Sequence, residues 1–304
     1  MRPRVLAVVV AFATAVACAG CGMDSGGSSA VSLRITQDFG ARALHSVAIG
    51  APQRRASELA LLTGHGRARA ARDGQVTMID GHHATGRSGW SFWVNGIQPT
   101  KTAAQTRVYA GDHVWWDLHD QSATDRIPAV VGSFPEPFRH GLEGRRYPTT
   151  YECGAGDKTA CGVITREFTK LHIPLSPRGP GYGSGTDSLS INVGTWQQLA
   201  TEVIGGLIGK GPGASGVYAR FTDAGHRLVL LDGAGTAVRT LGAGAGLVAA
   251  TAGPSDVPTW VVTGTDPAGV QAAARALTSS ALAGHFALAV QSGRHYPVPL
   301  SGGG

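Results

Sequence analysis

The stretch Gly89-Trp90-Ser91-Phe92-Trp93-Val94-Asn95-Gly96, GWSFWVNG, reads as a β-strand running into a tight turn. Side chains alternate across a strand, so Trp90, Phe92 and Val94 point one way and Ser91, Trp93 and Asn95 the other. The closing Asn-Gly is a strong two-residue hairpin signal, because both turn positions need a positive φ. A strand with one solvated face needs aromatics on one side only, and this one carries them on both. The doubling recurs at His113-Val114-Trp115-Trp116-Asp117-Leu118-His119-Asp120, where Val114 and Trp116 share one face and Trp115 and Asp117 the other. The two segments are expected to be sheet neighbours, with Trp90, Phe92 and Val94 sealing a small core and Trp93 and Trp115 on the opposite face. Each aromatic can bury roughly 150–250 Å², so that face is an apolar patch that something must cover. A second domain, a ligand and a partner protein are the three candidate occupants.

Working outward, residues 31–36 alternate like a strand, and residues 48–50 are short and apolar. Residues 56–62 suit a short helix with Ser57 as N-cap. Residues 76–79 read as a further strand, and Ala110-Gly111-Asp112 as a turn. The paired pieces SGWSFWVNG and VYAGDHVWWDL resemble the small β-rich domain at the C-terminal end of transcobalamin and intrinsic factor, which also occurs in many bacterial surface proteins. That resemblance covers roughly residues 31–120. It implies a ubiquitin-like β-grasp, and in the animal proteins this domain covers one face of cobalamin while a large helical barrel holds the other. The present chain has no counterpart of the barrel.

From about residue 127 the pattern changes. An apolar run at 127–131 leads into the proline-broken loop GSFPEPFRHG, and residues 161–171 have helical spacing that ends in an expected edge strand at 173–175, a β-α-β unit. Residues 189–193 and 260–263 each run into Gly-Thr and then a helix, expected at 196–208 and 267–279. Thr195 with Gln198 makes a capping box, and Asp266-Pro267 supplies an N-cap with proline at N1. The two copies lie about 70 residues apart, a possible duplicated β-α-β unit, and a hairpin turning at Asp232-Gly233 separates them. The expected fold is thus α+β: a β-grasp-like domain over 31–122 followed by an α/β domain with a mixed sheet over 123–300.

The chain has 304 residues, 42% hydrophobic and 15% charged, with 45 glycines, a globular composition long enough for two domains. Arg2 and Arg4 precede an apolar run at 5–17 that has signal-peptide length. Cys18 and Cys21 each sit in a setting like a bacterial lipobox, and Cys21, preceded by Ala-Gly and followed by a Gly/Ser-rich tether at 22–30, is the expected lipid attachment site, with Cys18 as the alternative. Plain cleavage without a lipid is the competing outcome. The protein is therefore expected to be exported and anchored to the outer face of the cytoplasmic membrane. In that compartment Cys153 and Cys161 should form a disulfide; a metal pair is the rival reading, although no second Cys or His pair with zinc spacing lies nearby. The formal charge of +6 falls to +4 once Arg2 and Arg4 are removed, because 24 basic and 20 acidic residues remain. No basic stripe interleaved with aromatics points to nucleic acid.

Catalytic constellations are not found. GYGSGTDS lacks the register of a nucleophile elbow, GLIGKGPG has Ile204 and Gly211 where a phosphate loop needs other residues, and GAGAGL misses a glycine of the dinucleotide fingerprint. His82, His83 and the run from His113 to Asp120, with His119 and Asp117 on one face, are candidate metal ligands, and exposed strand-end polar residues are the competing reading; no metal or cofactor is expected. The reading is a non-enzymatic, lipid-anchored binding protein for a bulky, partly apolar ligand such as a corrinoid, linked to uptake through a membrane transporter. Trp93, Trp115, Asn95 and Phe134 are its expected ligand-binding residues. The alternative is an envelope protein whose aromatic face meets another surface protein or polysaccharide.

Overall fold

The computed structural model describes residues 29–52, 56–179, 187–253 and 257–301. The expected signal segment with Cys18 and Cys21, and the tether as far as residue 28, lie outside the described residues. Among the described residues no helix is long and apolar enough to cross a membrane.

The first part of the chain forms β1 (Val31–Gln37), β2 (Arg42–Ile49), α1 (Glu58–His65), β3 (Ala68–Ala70), β4 (Val76–Ile79), β5 (His82–His83), β6 (Ser88–Val94) and β7 (His113–Asp120). Four of the strands make a mixed sheet in the order β2-β1-β7-β6, while β3, β4 and β5 form a separate small ribbon. The central pair β1 and β7 is parallel, and each outer strand is antiparallel to its neighbour. Helix α1 begins where Ser57 Oγ accepts from the Ala60 N–H. Its Leu61 and Leu62 pack with Leu33, Ile35, Trp90, Val114 and Trp116. A helix laid across a sheet with a parallel central pair is the β-grasp arrangement expected from the sequence.

The Asn95-Gly96 turn is made as its residues dictate, with φ of +53° and +75°. Val94 and Ile97 exchange both backbone hydrogen bonds across it, at 2.9 and 3.0 Å. The hairpin then stops growing: Ile97 departs to bridge Ala129. The long partner of β6 is β7, which sets Phe92 opposite Trp116 and Trp93 opposite Trp115.

The rest of the chain contributes β8 (Thr149–Cys153), α2 (Lys158–Lys170), β9 (Ser176–Arg178), β10 (Leu189–Thr195), α3 (Trp196–Leu199), α4 (Val203–Gly209), α5 (Pro212–Ser215), β11 (Ala219–Thr222), β12 (Arg227–Leu231), β13 (Ala237–Leu241), β14 (Gly246–Ala252), β15 (Pro258–Gly264), α6 (Pro267–Ala276), α7 (Ser279–Leu282), β16 (Ala287–Gln291) and β17 (Arg294–Val298). Seven of these strands form one mixed sheet, β17-β16-β14-β15-β10-β8-β9, and β11-β12-β13 is a meander of its own. The large sheet is apolar on both faces, as a sheet covered on both sides must be. Ile191, Val193, Trp260 and Val262 point toward α2 and α6. Leu247, Ala249, Val261 and Ala289 point the other way, into a core shared with the meander and with Trp93 and Trp115 of the first sheet.

The expected β-α-β unit is β8-α2-β9, with parallel strands. Its edge strand is Ser176–Arg178 rather than 173–175, because Ile173 is drawn into the core beside α2. Cys153 and Cys161 are disulfide-bonded with Cα atoms 6.2 Å apart, tying the end of β8 to α2. The helix expected at 196–208 is broken into α3 and α4: Gly205 packs so closely on the Leu199 carbonyl that an added Cβ would lie 1.9 Å from its oxygen. The second helix likewise ends at Ala276, short of 279, before the separate turn of α7. The repeat is not a structural duplication. β10 and β15 are parallel neighbours, yet β11 joins the meander while β16 runs antiparallel to β14 in the large sheet.

Candidate functional site

The indole rings of Trp93 and Trp115 do project from the face opposite α1, and that face is closed. Trp93 is 0% and Trp115 2% exposed. Their centroids lie 5.9 Å apart, and Phe286 caps both edge-on at 5.0 and 5.1 Å. Trp93 Nε1 donates to the Ile127 carbonyl at 2.8 Å and Trp115 Nε1 to Thr36 Oγ1 at 2.7 Å. With both N–H groups satisfied and both rings packed, neither presents a surface to a ligand. Of the occupants weighed, the remainder of the chain covers them, so their assignment to ligand binding is corrected to one of core packing.

Asn95 and Phe134 are corrected in the same way. Asn95 is 0% exposed; its Nδ2 donates to Asp112 Oδ1 and to the Gly141 carbonyl, both at 2.8 Å, and its Oδ1 accepts from the His113 N–H at 2.8 Å. Every polar atom of that side chain is spent on holding the turn. Phe134 lies in the other core, edge-on to Phe138 and Phe168 and near Trp260. The structure brings the two tryptophans together, but it does not join Phe134 to them in one site.

Beside the tryptophans lies a buried polar centre. Asp117 Oδ1 accepts from the Phe39 N–H and faces His119 Nδ1, both at 3.0 Å, while Oδ2 accepts from Thr36 Oγ1 at 2.5 Å and the Gly40 N–H at 2.9 Å. His119 Nε2 and the Tyr218 hydroxyl are buried without a partner among the described residues. A hydroxyl, an imidazole and a carboxylate thus meet, but Thr36 donates to Asp117 and not to His119, so the order required for nucleophile activation is not formed. Asp112, His113, Glu136 and His140 gather near the start of β7. Glu136 accepts from the His140 backbone N–H and pairs with its Nδ1, each at 2.8 Å. That hydrogen bond raises the His140 pKa, whereas burial lowers that of His113 and raises that of Asp112. Among the described residues no group of three or more His, Cys, Asp and Glu side chains is placed to hold a metal ion. His82 and His83 diverge on their short strand, one half-buried and one exposed.

On the other face of the first sheet one aromatic is half-exposed: Phe92, which lies against Trp116, itself only 2% exposed. Phe92 and Trp116, paired across β6 and β7, stack with centroids 4.8 Å apart and planes 22° from parallel. They line a recess of about 210 Å³ with Trp90, Gln75, Gln98 and Gln121. Phe92 sits between the buried Trp90 and Val94 of its own face and is itself half-buried; because β6 is an edge strand, the recess is open along one side. Gln121 Nε2 donates to Ser91 Oγ at 3.1 Å, and Gln98 Oε1 accepts from the Ile127 N–H at 2.8 Å, which holds both amides at the rim. Behind the recess Trp116 Nε1 donates to Glu58, a fully buried carboxyl whose pKa burial pushes up to about 8. Phe92 packs against the core of Trp90 and Val94 as its place in the alternation implies, but it is only half-buried there.

Residues 63–120 match the family described as a domain of unknown function, DUF4430, which takes in Phe92 and Trp116. Among solved structures the chain is similar to a crystal structure from Ruminococcus gnavus ATCC 29149, of a protein described provisionally as metal binding, at 16% identity and a TM-score of 0.25. That likeness covers 30% of this chain and 97% of that one, and at this score it carries no argument. No curated protein matches the chain.

Proposed function

We propose that the protein is an extracytoplasmic binding protein, tethered to the outer face of the cytoplasmic membrane through lipid on Cys21 or Cys18, that captures the flat part of a small molecule in the Phe92–Trp116 recess. The observation that carries this reading is the half-exposed Phe92 ring at the mouth of a recess backed by Trp116, with the amides of Gln75, Gln98 and Gln121 and the carboxylate of Asp125 around it. Aromatic walls take an apolar plane, and a few amides fix its orientation by hydrogen bonds. At about 210 Å³ the recess admits one ring system and not a whole macrocycle. A corrinoid would enter by a planar substituent or an edge, with its bulk outside and available for transfer to a membrane importer.

The test is titration of the purified protein with cobalamin, followed by visible absorption. Saturable binding that Phe92→Ala reduces at least tenfold, with thermal unfolding little changed, supports the reading. Absence of a spectral change with cobalamin removes the corrinoid; retention of full affinity by folded Phe92→Ala removes the recess. Palmitate labelling lost in Cys21→Ala but kept in Cys18→Ala would assign the anchor.

A further inference from the structure

A second concavity lies along α2. It encloses about 720 Å³, within the range of small-molecule sites of roughly 300–1,000 Å³. Its floor is the Tyr151 ring and the Cys153–Cys161 disulfide. One wall is made by Thr165 and Thr169, whose hydroxyls are turned back onto their own helix: Thr165 Oγ1 donates to the Cys161 carbonyl at 2.9 Å and Thr169 Oγ1 to the Thr165 carbonyl at 2.8 Å. Only their methyl groups are left for an occupant. The groove is open because α2 packs against α6 on one side, while β9, with three residues, is the last strand on the other.

The rim is cationic. Lys158, Gly162, Arg166 and Lys170 are spaced four apart and fall on one stripe of α2, which runs about 18 Å from end to end. Lys170 is paired with Glu167 at 3.3 Å, but neither Lys158 nor Arg166 has a carboxylate within salt-bridge distance among the described residues. Gly162 keeps the middle of the stripe low, and the Arg166 guanidinium lies over the position a side chain there would take.

A long apolar trough with no hydrogen-bonding wall and positive charge along one rim matches a particular chemistry. A peptide backbone laid there would gain no hydrogen bonds from the threonine wall, whereas an acyl chain needs no partner and its anionic head would meet Lys158 or Arg166. We propose that the α2 groove is a second binding site, separate from the aromatic recess, for a single-chain anionic amphiphile: an acyl chain bearing a carboxylate or phosphate head.

The test uses the full chain carrying Cys18→Ala and Cys21→Ala, so that no attached lipid competes, and the fluorescent fatty acid cis-parinarate below its micellar concentration. Saturable binding is expected, displaced by palmitate, by lysophosphatidate or by both, which tells the two head groups apart, and not by methyl palmitate or hexaglutamate. The double variant Lys158→Ala/Arg166→Ala should weaken it at least tenfold. Gly162→Leu fills the trough, and because leucine is the better helix former the fold is retained; it should abolish binding while far-ultraviolet dichroism and thermal unfolding stay as they were. Failure of parinarate to saturate, full affinity in folded Gly162→Leu, or displacement by hexaglutamate as effective as by palmitate would each overturn the proposal.

Discussion

Glu58 makes stability depend on pH in a way that one substitution should erase. It stands in the first turn of α1, 0% exposed, with one oxygen accepting from Trp116 Nε1 and the other without a partner among the described residues. Burial, opposed only in part by the indole N–H, raises its pKa from 4.5 to about 8. In the unfolded chain it titrates near the ordinary value. Between these two pH values the native state holds a proton that the unfolded state has released, so stability falls as pH rises, by about 1.4 kcal/mol per pH unit. The contribution is fully present below about pH 4.5, is lost progressively up to pH 8, and is flat beyond. Taken over the whole shift it amounts to at most about 5 kcal/mol. In Glu58→Gln the side-chain oxygen still accepts from Trp116 and nothing titrates. Other carboxyls, the buried Asp112 and the half-buried Glu202 among them, have raised pKa values of the same sign, so the difference between the two proteins, and not the slope of either, isolates Glu58. Urea unfolding followed by tryptophan fluorescence at pH 5, 6.5, 8 and 9 should show the variant gaining about 4 kcal/mol on the parent from pH 5 to pH 8. At a slope of about 2 kcal/mol per molar urea, the midpoint gap would change by about 2 M. A difference that stays constant across this range would refute the reasoning and mean that the carboxyl is ionised, or solvated, in the native state.

The remaining predictions concern the corrected residues and the disulfide. Trp115→Ala should cost about 3–5 kcal/mol in chemical denaturation, as expected of a ring enclosed between two sheets, and leave affinity at the Phe92 recess unchanged. Asn95→Ala strands the His113 N–H and the Gly141 carbonyl and places a less tolerant residue at a positive φ; a loss of about 2–4 kcal/mol is expected, read as a lower denaturation midpoint. Cys153→Ser opens a loop of nine residues, counting both cysteines, from a sequence separation of 8. The loss of cross-linking should cost about 2.5 kcal/mol, and treating the parent protein with a reductant should reproduce it.

Local chemistry explains what was legible in the chain. Strict alternation over β6 and β7, a hydrophobic run broken by Asn-Gly, Ser57 before a short apolar helix and Asp266-Pro267 before a longer one each depend on neighbours within a turn or two, and each is found where the residues put it. The partition of side chains between the two faces of the first sheet was equally readable, as was the pairing of Cys153 with Cys161. The break between α3 and α4 was not, because it comes from the close approach of Gly205 to the Leu199 carbonyl, a contact that helical periodicity does not register.

Which aromatic side chains are closed over was a matter for tertiary structure alone. Alternation tells that Trp93 and Phe92 point in opposite directions, and nothing in a strand says what will arrive on either side. Phe286, almost 200 residues further along, closes the face of Trp93 and Trp115, while on the other face Phe92, on an edge strand, is left half-buried. Covering depends on distant segments, so the chain by itself determined a two-faced sheet, and only the folded molecule decided which side chains the rest of the chain would close over.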